Sequence, residues 1–313
     1  MKGFGDIYKS KLNKNKVKKN NLTHEQIITL AINNHAKGNI HEALKYYNIA
    51  VNQGFANDVV FANYGLILQN IGKLNDAEIF TLKAIELNPN FTAAYSNLGG
   101  ILRDLGKLND AEIYTQKAIQ LDPNSVQSRS NMASILKDLG KLNDAEISAR
   151  KAIELDPTFE DAYYNLGGIL IDSGKFKEAE IYIQKAIEIN PNFASAYYIM
   201  GAAQQKQQKR EEAITAYEKA ISLKPDYAEA YNNMGIALSD EGKLKKAIAA
   251  YEKAISFKPA DTDAYYNMGY AFTDIGRPDK AIVAYEKALS LKPDHSAARG
   301  QKLHQQSHIC DWT

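Results

Sequence analysis

The sequence predicts an all-α fold, a solenoid of stacked helix pairs, and three observations carry the prediction. Seven prolines, Pro89, Pro123, Pro157, Pro191, Pro225, Pro259 and Pro293, are separated by six intervals of 34 residues each, with no insertion or deletion. Within a period, apolar residues recur at helical spacing in two runs divided by a glycine: Tyr265, Met268, Gly269 and Phe272, then Gly276, then Ala281, Tyr285, Ala288 and Leu289. Two positions are kept small throughout. Neither helix can bury its apolar stripe alone, so each pair must pack on the next, and the constant period follows from that nearest-neighbour stacking.

In chain order, residues 1–23 form a lysine- and asparagine-rich stretch with few apolar side chains, expected to be a flexible basic arm. Placing each proline at position 32 gives eight repeats starting at residues 24, 58, 92, 126, 160, 194, 228 and 262. The first lacks the proline, with Phe55 in its place, but keeps Ala31, Gly38, Ala43 and Ala50 in register, as a terminal repeat does. Pro278 lies outside the series, at the turn into a helix, where its fixed φ costs nothing. After residue 295 the consensus is lost, and residues 296–313 read as a capping helix, with Leu303, Ile309, Cys310 and Trp312 expected to cover the apolar end of the last repeat.

Position 8 is Ala31, Gly65, Gly99, Ala133, Gly167, Gly201, Gly235 and Gly269, and position 20 is alanine from Ala43 to Ala281. Side chains this small let helix axes approach closely. Position 24 divides the repeats into two types: Thr81, Thr115, Ala149 and Ile183 in repeats two to five, and Tyr217, Tyr251 and Tyr285 in repeats six to eight, with a junction between Pro191 and Asp226.

Composition narrows the function classes. The net charge of +1 hides a +6 segment at residues 1–20 and −5 over the rest, which speaks against a nucleic-acid footprint on the repeats. A single cysteine, Cys310, excludes an internal disulfide framework and fits a reducing compartment. The basic start lacks the apolar run of a secretory signal, and no 18-residue apolar stretch occurs, so a cytoplasmic protein with no membrane partner is expected.

The pattern large-x2-Leu-Gly-x2-aromatic, Ala-x3-aromatic, Pro resembles the tetratricopeptide repeat, and Tyr265, Met268, Gly269, Phe272, Ala281, Tyr285 and Pro293 match it nearly position for position. The resemblance covers residues 24–295. It implies a right-handed superhelix whose first helices line a concave groove, and a non-enzymatic scaffold that binds an extended peptide or partner protein there.

Two rows of residues are candidates for that role. Position 6 is Asn63, Asn97, Asn131, Asn165, Asn233 and Asn267, interrupted by Thr29 and Ile199. Asparagine is a poor helix former, and its amide offers donor and acceptor together, which suits the backbone of an extended peptide. The alternative is that it bonds to a neighbouring helix or is inherited by duplication. Seven residues on stand Asp104, Asp138, Asp172, Asp240 and Asp274, near a helix C-terminus where a carboxylate opposes the macrodipole. They would favour partners with basic residues, unless they are solvated and paired with turn lysines such as Lys107 or Lys141.

The asparagine ladder resembles that of the O-linked N-acetylglucosamine transferase (SPINDLY-like) family, and the ending CDWT, Cys310 to Thr313, resembles the point where those enzymes pass from repeats to catalytic region. That resemblance implies, as an alternative, a substrate-recruiting fragment whose catalytic region is absent from this chain. The basic clamp of chaperone-binding repeats is missing, since position 2 reads Val59, Ala93, Gln127, Asp161, Ser195, Glu229 and Asp263. Gly100 to Lys107 does not have phosphate-loop spacing, and His304, His308 and Cys310 lack an enclosing shell for a metal, so neither catalytic residues nor cofactor are expected. Self-association through end faces is the remaining structural possibility.

Overall fold

A computed structural model describes residues 22–310, with side chains to residue 307, so residues 1–21 of the basic arm and the last three residues lie outside it. The described residues form seventeen helices and no strand. The first helices of successive repeats are α1 (His24–Ala36), α3 (Asp58–Asn70), α5 (Thr92–Asp104), α7 (Val126–Asp138), α9 (Glu160–Asp172), α11 (Ala194–Lys206), α13 (Ala228–Asp240) and α15 (Thr262–Asp274). The second helices are α2 (Ile40–Asn52), α4 (Leu74–Leu87), α6 (Leu108–Leu121), α8 (Leu142–Leu155), α10 (Phe176–Ile189), α12 (Arg210–Leu223), α14 (Leu244–Phe257) and α16 (Pro278–Leu291), and α17 (Ser296–Cys310) follows. The fold is an all-α superhelical tetratricopeptide-type array.

The chain divides into two compact units, Met1–Pro123 and Asn124–Thr313. The division falls between the third and fourth repeats, away from the Pro191–Asp226 stretch where the residue pattern changes. Within each unit the two helices of a repeat pack as a hairpin, and each second helix packs on the next first helix. The backbones of successive first helices also approach one another, whereas among the described residues the backbones of no two second helices do. The first helices therefore gather on the inner side of each unit and the second helices fan out on the other.

Each hairpin turns through a left-handed residue at position 15, glycine in seven repeats with φ between 71° and 77°. Repeat six places Gln208 there at φ 62°, a conformation that costs a side chain about 1–2 kcal/mol. The hairpin is held at the contact between positions 8 and 24. A Cβ added to Gly201, Gly235 or Gly269 would lie 2.7, 2.5 or 2.7 Å from the ring of Tyr217, Tyr251 or Tyr285, closer than atoms pack. Gly65, Gly99 and Gly167 stand in the same way against Thr81, Thr115 and Ile183. The position-20 alanines are all fully buried.

Tyrosine at position 24 occurs in repeat one as well as repeats six to eight. Tyr47, Tyr217, Tyr251 and Tyr285 are all buried, and each hydroxyl reaches position 12 of its own repeat, His35 at 3.4 Å, Gln205 at 2.9 Å, Ser239 at 3.5 Å and Thr273 at 3.2 Å. Each ring thereby fills the hairpin while its polar tip is satisfied. The hydroxyls of Thr81 and Thr115 are fully buried and have no hydrogen-bond partner among the described residues.

Salt bridges tie neighbouring second helices to the following turn. Lys107 reaches Glu78 at 2.7 Å, Lys175 reaches Glu146 at 2.8 Å and Lys209 reaches Glu180 at 2.7 Å. Lys107, one of the two lysines named as alternative partners of the aspartate row, is thus engaged elsewhere, because the turn lysine leans toward the preceding second helix and away from the first-helix face. Arg150 makes the densest of these links. Its guanidinium joins Glu146 at 2.8 Å and Glu178 at 2.6 Å, donates to the Tyr182 hydroxyl at 2.7 Å and lies 5.2 Å from that ring's centre. Hydrogen bonds from Lys175 and Arg150 hold the Glu146 carboxyl below its ordinary pKa, against the opposing effect of burial.

The helix α17 packs on α16 through Ala298, which is fully buried, and Gln305, with Lys302 bonded to Glu286 at 2.8 Å. Leu303 does not cover the end of the array as expected: it is 61% exposed. At 3.6 residues per turn it stands roughly 140° around the helix from Ala298, on the face turned to solvent. The side chains of Ile309, Cys310 and Trp312 lie outside the described residues.

Replacing the unpartnered hydroxyls, Thr81→Val or Thr115→Val, should raise the unfolding free energy by about 1–3 kcal/mol each in urea titrations, since a buried polar group without a bond is removed at nearly constant volume. Unchanged stability would show that these hydroxyls find a partner in solution. The Glu146 cluster sets a pH dependence. Because its folded pKa is lowered, its contribution is present above the unfolded value near 4.5 and lost as pH falls through the folded value. Glu146→Gln should therefore be less stable than the parent at pH 7, and the gap in melting temperature should close below about pH 4.5.

Candidate functional site

The position-6 asparagines are half-buried on the inner helices, where a first helix meets the one before it. In the unit Asn124–Thr313, three of them bond back by 35 residues to position 5 of the preceding repeat. Asn165 donates through Nδ2 to the Ser130 hydroxyl at 2.8 Å, Asn233 to the Tyr198 hydroxyl at 3.0 Å, and Asn267 to the Asn232 Oδ1 at 3.2 Å. Asn131 accepts from Gln127 Nε2 at 2.9 Å. In the unit Met1–Pro123, the Asn63 amide approaches the Tyr47 phenol, which burial pushes up to about 12, and Asn97 has no hydrogen-bond partner among the described residues.

These bonds account for part of each amide. An asparagine carries two N–H donors and an oxygen with two lone pairs. Asn267 spends one donor on the neighbouring helix, which leaves a second donor and the carbonyl oxygen for other partners, whereas the Asn233 amide, bonded to Tyr198, also approaches the Tyr217 phenol. Half of the row, Asn165, Asn233 and Asn267, thus clips one first helix to the one before.

The aspartates are the last residues of α5, α7, α9, α13 and α15, and all five are exposed. Asp104 accepts from Gln69 Nε2 at 2.7 Å, and Asp172 lies 3.8 Å from Lys137 Nζ. Both partners occupy position 12 of the preceding first helix, so these contacts run along the same inner row as the asparagine bonds. Asp240 and Asp274 make no ion pair among the described residues. No basic residue occupies position 2, and among the described residues no three His, Cys, Asp or Glu side chains are grouped to hold a metal ion.

Sequence reasoning missed the outer face. Ile79, Ile113, Ile147 and Ile181, all at position 22, are between 51% and 67% exposed on the second helices. Their side was legible in principle: position 22 lies two residues from the buried alanine at position 20, roughly 160° around the helix from it.

Sequence profiles of the tetratricopeptide repeat match residues 60–91, 92–125, 126–159, 160–193 and 262–295, and a further TPR repeat profile matches residues 206–242 and 237–276. Comparison with curated proteins gives no match. Among solved structures, a chain of the APC/C hetero-tetramer Cut9–Hcn1 is 16% identical with a TM-score of 0.72, over 85% of this chain and 52% of that one. This chain thus spans about half of that relative's length. A tetratricopeptide repeat protein of Parabacteroides merdae is 21% identical with a TM-score of 0.59, over 80% of this chain and 98% of its own. The Pseudomonas aeruginosa protein pilF is 19% identical with a TM-score of 0.60, over 68% and 97% respectively. At these identities the likeness establishes the fold. With profile matches covering most of the sequence and the hairpin repeating from α1 to α16, the chain belongs to the tetratricopeptide repeat family, an architecture of protein–protein interaction scaffolds.

Proposed function

We propose that the chain is a non-enzymatic scaffold whose eight repeats, residues 24–295, hold an extended peptide or a segment of a partner protein against the first helices, with residues 1–23 as a basic arm and residues 296–313 as a cap. The observation that carries this reading is the asparagine row: an amide in six of the eight repeats, half-buried on the inner helices, three of them bonded to the first helix before. An extended backbone presents alternating N–H and C=O groups, and an amide binds both without reading sequence. The carboxylates of Asp104, Asp138, Asp172, Asp240 and Asp274 then bias the choice toward segments with lysine or arginine. The lone cysteine and the lack of a long apolar stretch favour the cytoplasm as its compartment.

A finer kinship, with the recruiting arm of the O-linked N-acetylglucosamine transferases, is supported by the same asparagine row and by the ending Cys310–Thr313. Under that reading the chain presents substrates to a sugar-transfer region outside it. An open reading frame continuing past Thr313 in the genomic sequence favours it, and a stop codon with no such region downstream removes its support.

Selection of a displayed library of extended peptides against the parent chain and against Asn97→Ala/Asn131→Ala/Asn165→Ala tests the main reading. Affinity of the selected peptides should fall about tenfold or more in the triple variant with helicity retained, as expected when several anchors of one interface are truncated. A variant with lowered melting temperature but unchanged affinity would confine the asparagines to their inter-helix bonds.

A further inference from the structure

Two grooves open on the outer side of the last three repeats, each between consecutive second helices and floored by the first helix between them. The groove between α12 and α14 has a volume of about 570 Å3, and that between α14 and α16 about 830 Å3. Their floors are apolar and equivalent: Tyr231, Met234 and Leu238 in one, and Tyr265, Met268 and Phe272 in the other, at positions 4, 7 and 11.

The walls are charged in the same sense in both grooves. Position 25 of the preceding second helix supplies Glu218 or Glu252, and positions 19 and 26 of the following one supply Lys246 and Lys253 or Lys280 and Lys287, with Lys280 5.5 Å from the Phe272 ring. All six charges are exposed, and none makes an ion pair among the described residues. The other charges in the lining are paired, Glu211 with Lys243, Asp279 with Arg277 and Glu286 with Lys302. The junction between α8 and α10 shows what the same positions do when they close: Arg150 at position 25 bonds Glu178 at position 19 at 2.6 Å and straps the two second helices together. In the last three repeats, opposite charges stand at those positions without meeting across an apolar floor.

We propose that these outer grooves are a second docking surface, distinct from the asparagine row, and that the occupant is an amphipathic α-helix of a partner protein with one basic and one acidic flank. The charge pattern chooses the occupant. An apolar helical stripe fits the Tyr-Met-Leu or Tyr-Met-Phe floor, its Lys or Arg flank faces Glu218 or Glu252, and its Asp or Glu flank faces the paired lysines. A helix with two like-charged flanks meets repulsion from one wall, so the walls act mainly on selection and direction. The Ile181 side of the array lacks this pattern, because position 25 there is Gln184.

The test uses three labelled helical peptides with one leucine stripe: one flanked by lysine on one side and glutamate on the other, one flanked by lysine on both sides, and one with the stripe scrambled. Fluorescence anisotropy is measured with the full chain and with Lys246→Glu/Lys253→Glu/Lys280→Glu/Lys287→Glu, whose fold is checked by circular dichroism. The mixed-flank peptide should bind the parent chain best and lose about tenfold in the quadruple variant, while the double-lysine peptide gains by a similar factor. Binding no better than the scrambled peptide would overturn the proposal. So would binding indifferent to the lysine changes but lost in Asn97→Ala/Asn131→Ala/Asn165→Ala, which would put the helix on the inner face. The two sites fail separately, since the quadruple variant leaves every asparagine in place.

Discussion

The close approach of positions 8 and 24 is the contact on which the rest of the structure depends. A helix hairpin of 34 residues has little apolar surface to spare, and a side chain at position 8 would push its second helix away by the thickness of a methyl group or more. Glycine removes that obstacle and lets Tyr217, Tyr251, Tyr285 or Ile183 lie directly on backbone. Repeat one tolerates Ala31 against Tyr47, so the requirement is for smallness, with glycine the commoner solution. Because this contact lies inside a repeat, each hairpin is nearly the same object, and similar objects stacked at a constant offset curve the stack within each unit.

Curvature then decides where chemistry is available. Within each unit first-helix backbones lie close together and second-helix backbones stand apart, so polar groups at position 6 of one first helix come within bonding distance of position 5 of the one before. The inner side is dense and hydrogen-bonded, with amides and carboxylates in rows. The outer side is open, and its grooves are walled by charges except where Arg150 ties α8 to α10. One asymmetry of packing thereby yields two different surfaces, one suited to backbone and the other to a helical side-chain stripe.

The repeat frame was legible in the sequence because its determinants are local and periodic. The prolines, the turn glycines such as Gly276 and the alanines at position 20 each fix backbone or spacing within one hairpin, and the helices begin at residues 24, 58, 92 and onward in step with the prolines. The asparagine and aspartate rows could be placed on one helix face for the same reason. What could not be read is set by the neighbour in space. Whether Asn165 bonds to Ser130, or Lys107 to Glu78 instead of an aspartate, depends on the offset between repeats, which no single period contains. Leu303 was misjudged on similar grounds: an apolar residue in a capping helix suggests burial, and only the docking of α17 through Ala298 shows it turned outward.

If the contact between positions 8 and 24 governs the hairpin, a double-mutant cycle on one pair measures it most directly. Gly235→Val, Tyr251→Ala and their combination are compared by urea unfolding followed by circular dichroism. The added side chain at position 8 should cost at least about 1 kcal/mol less when the tyrosine ring has already been removed, because the two substitutions share one space. Strictly additive costs would mean that glycine at position 8 serves something other than the approach of the second helix, and would contradict the account.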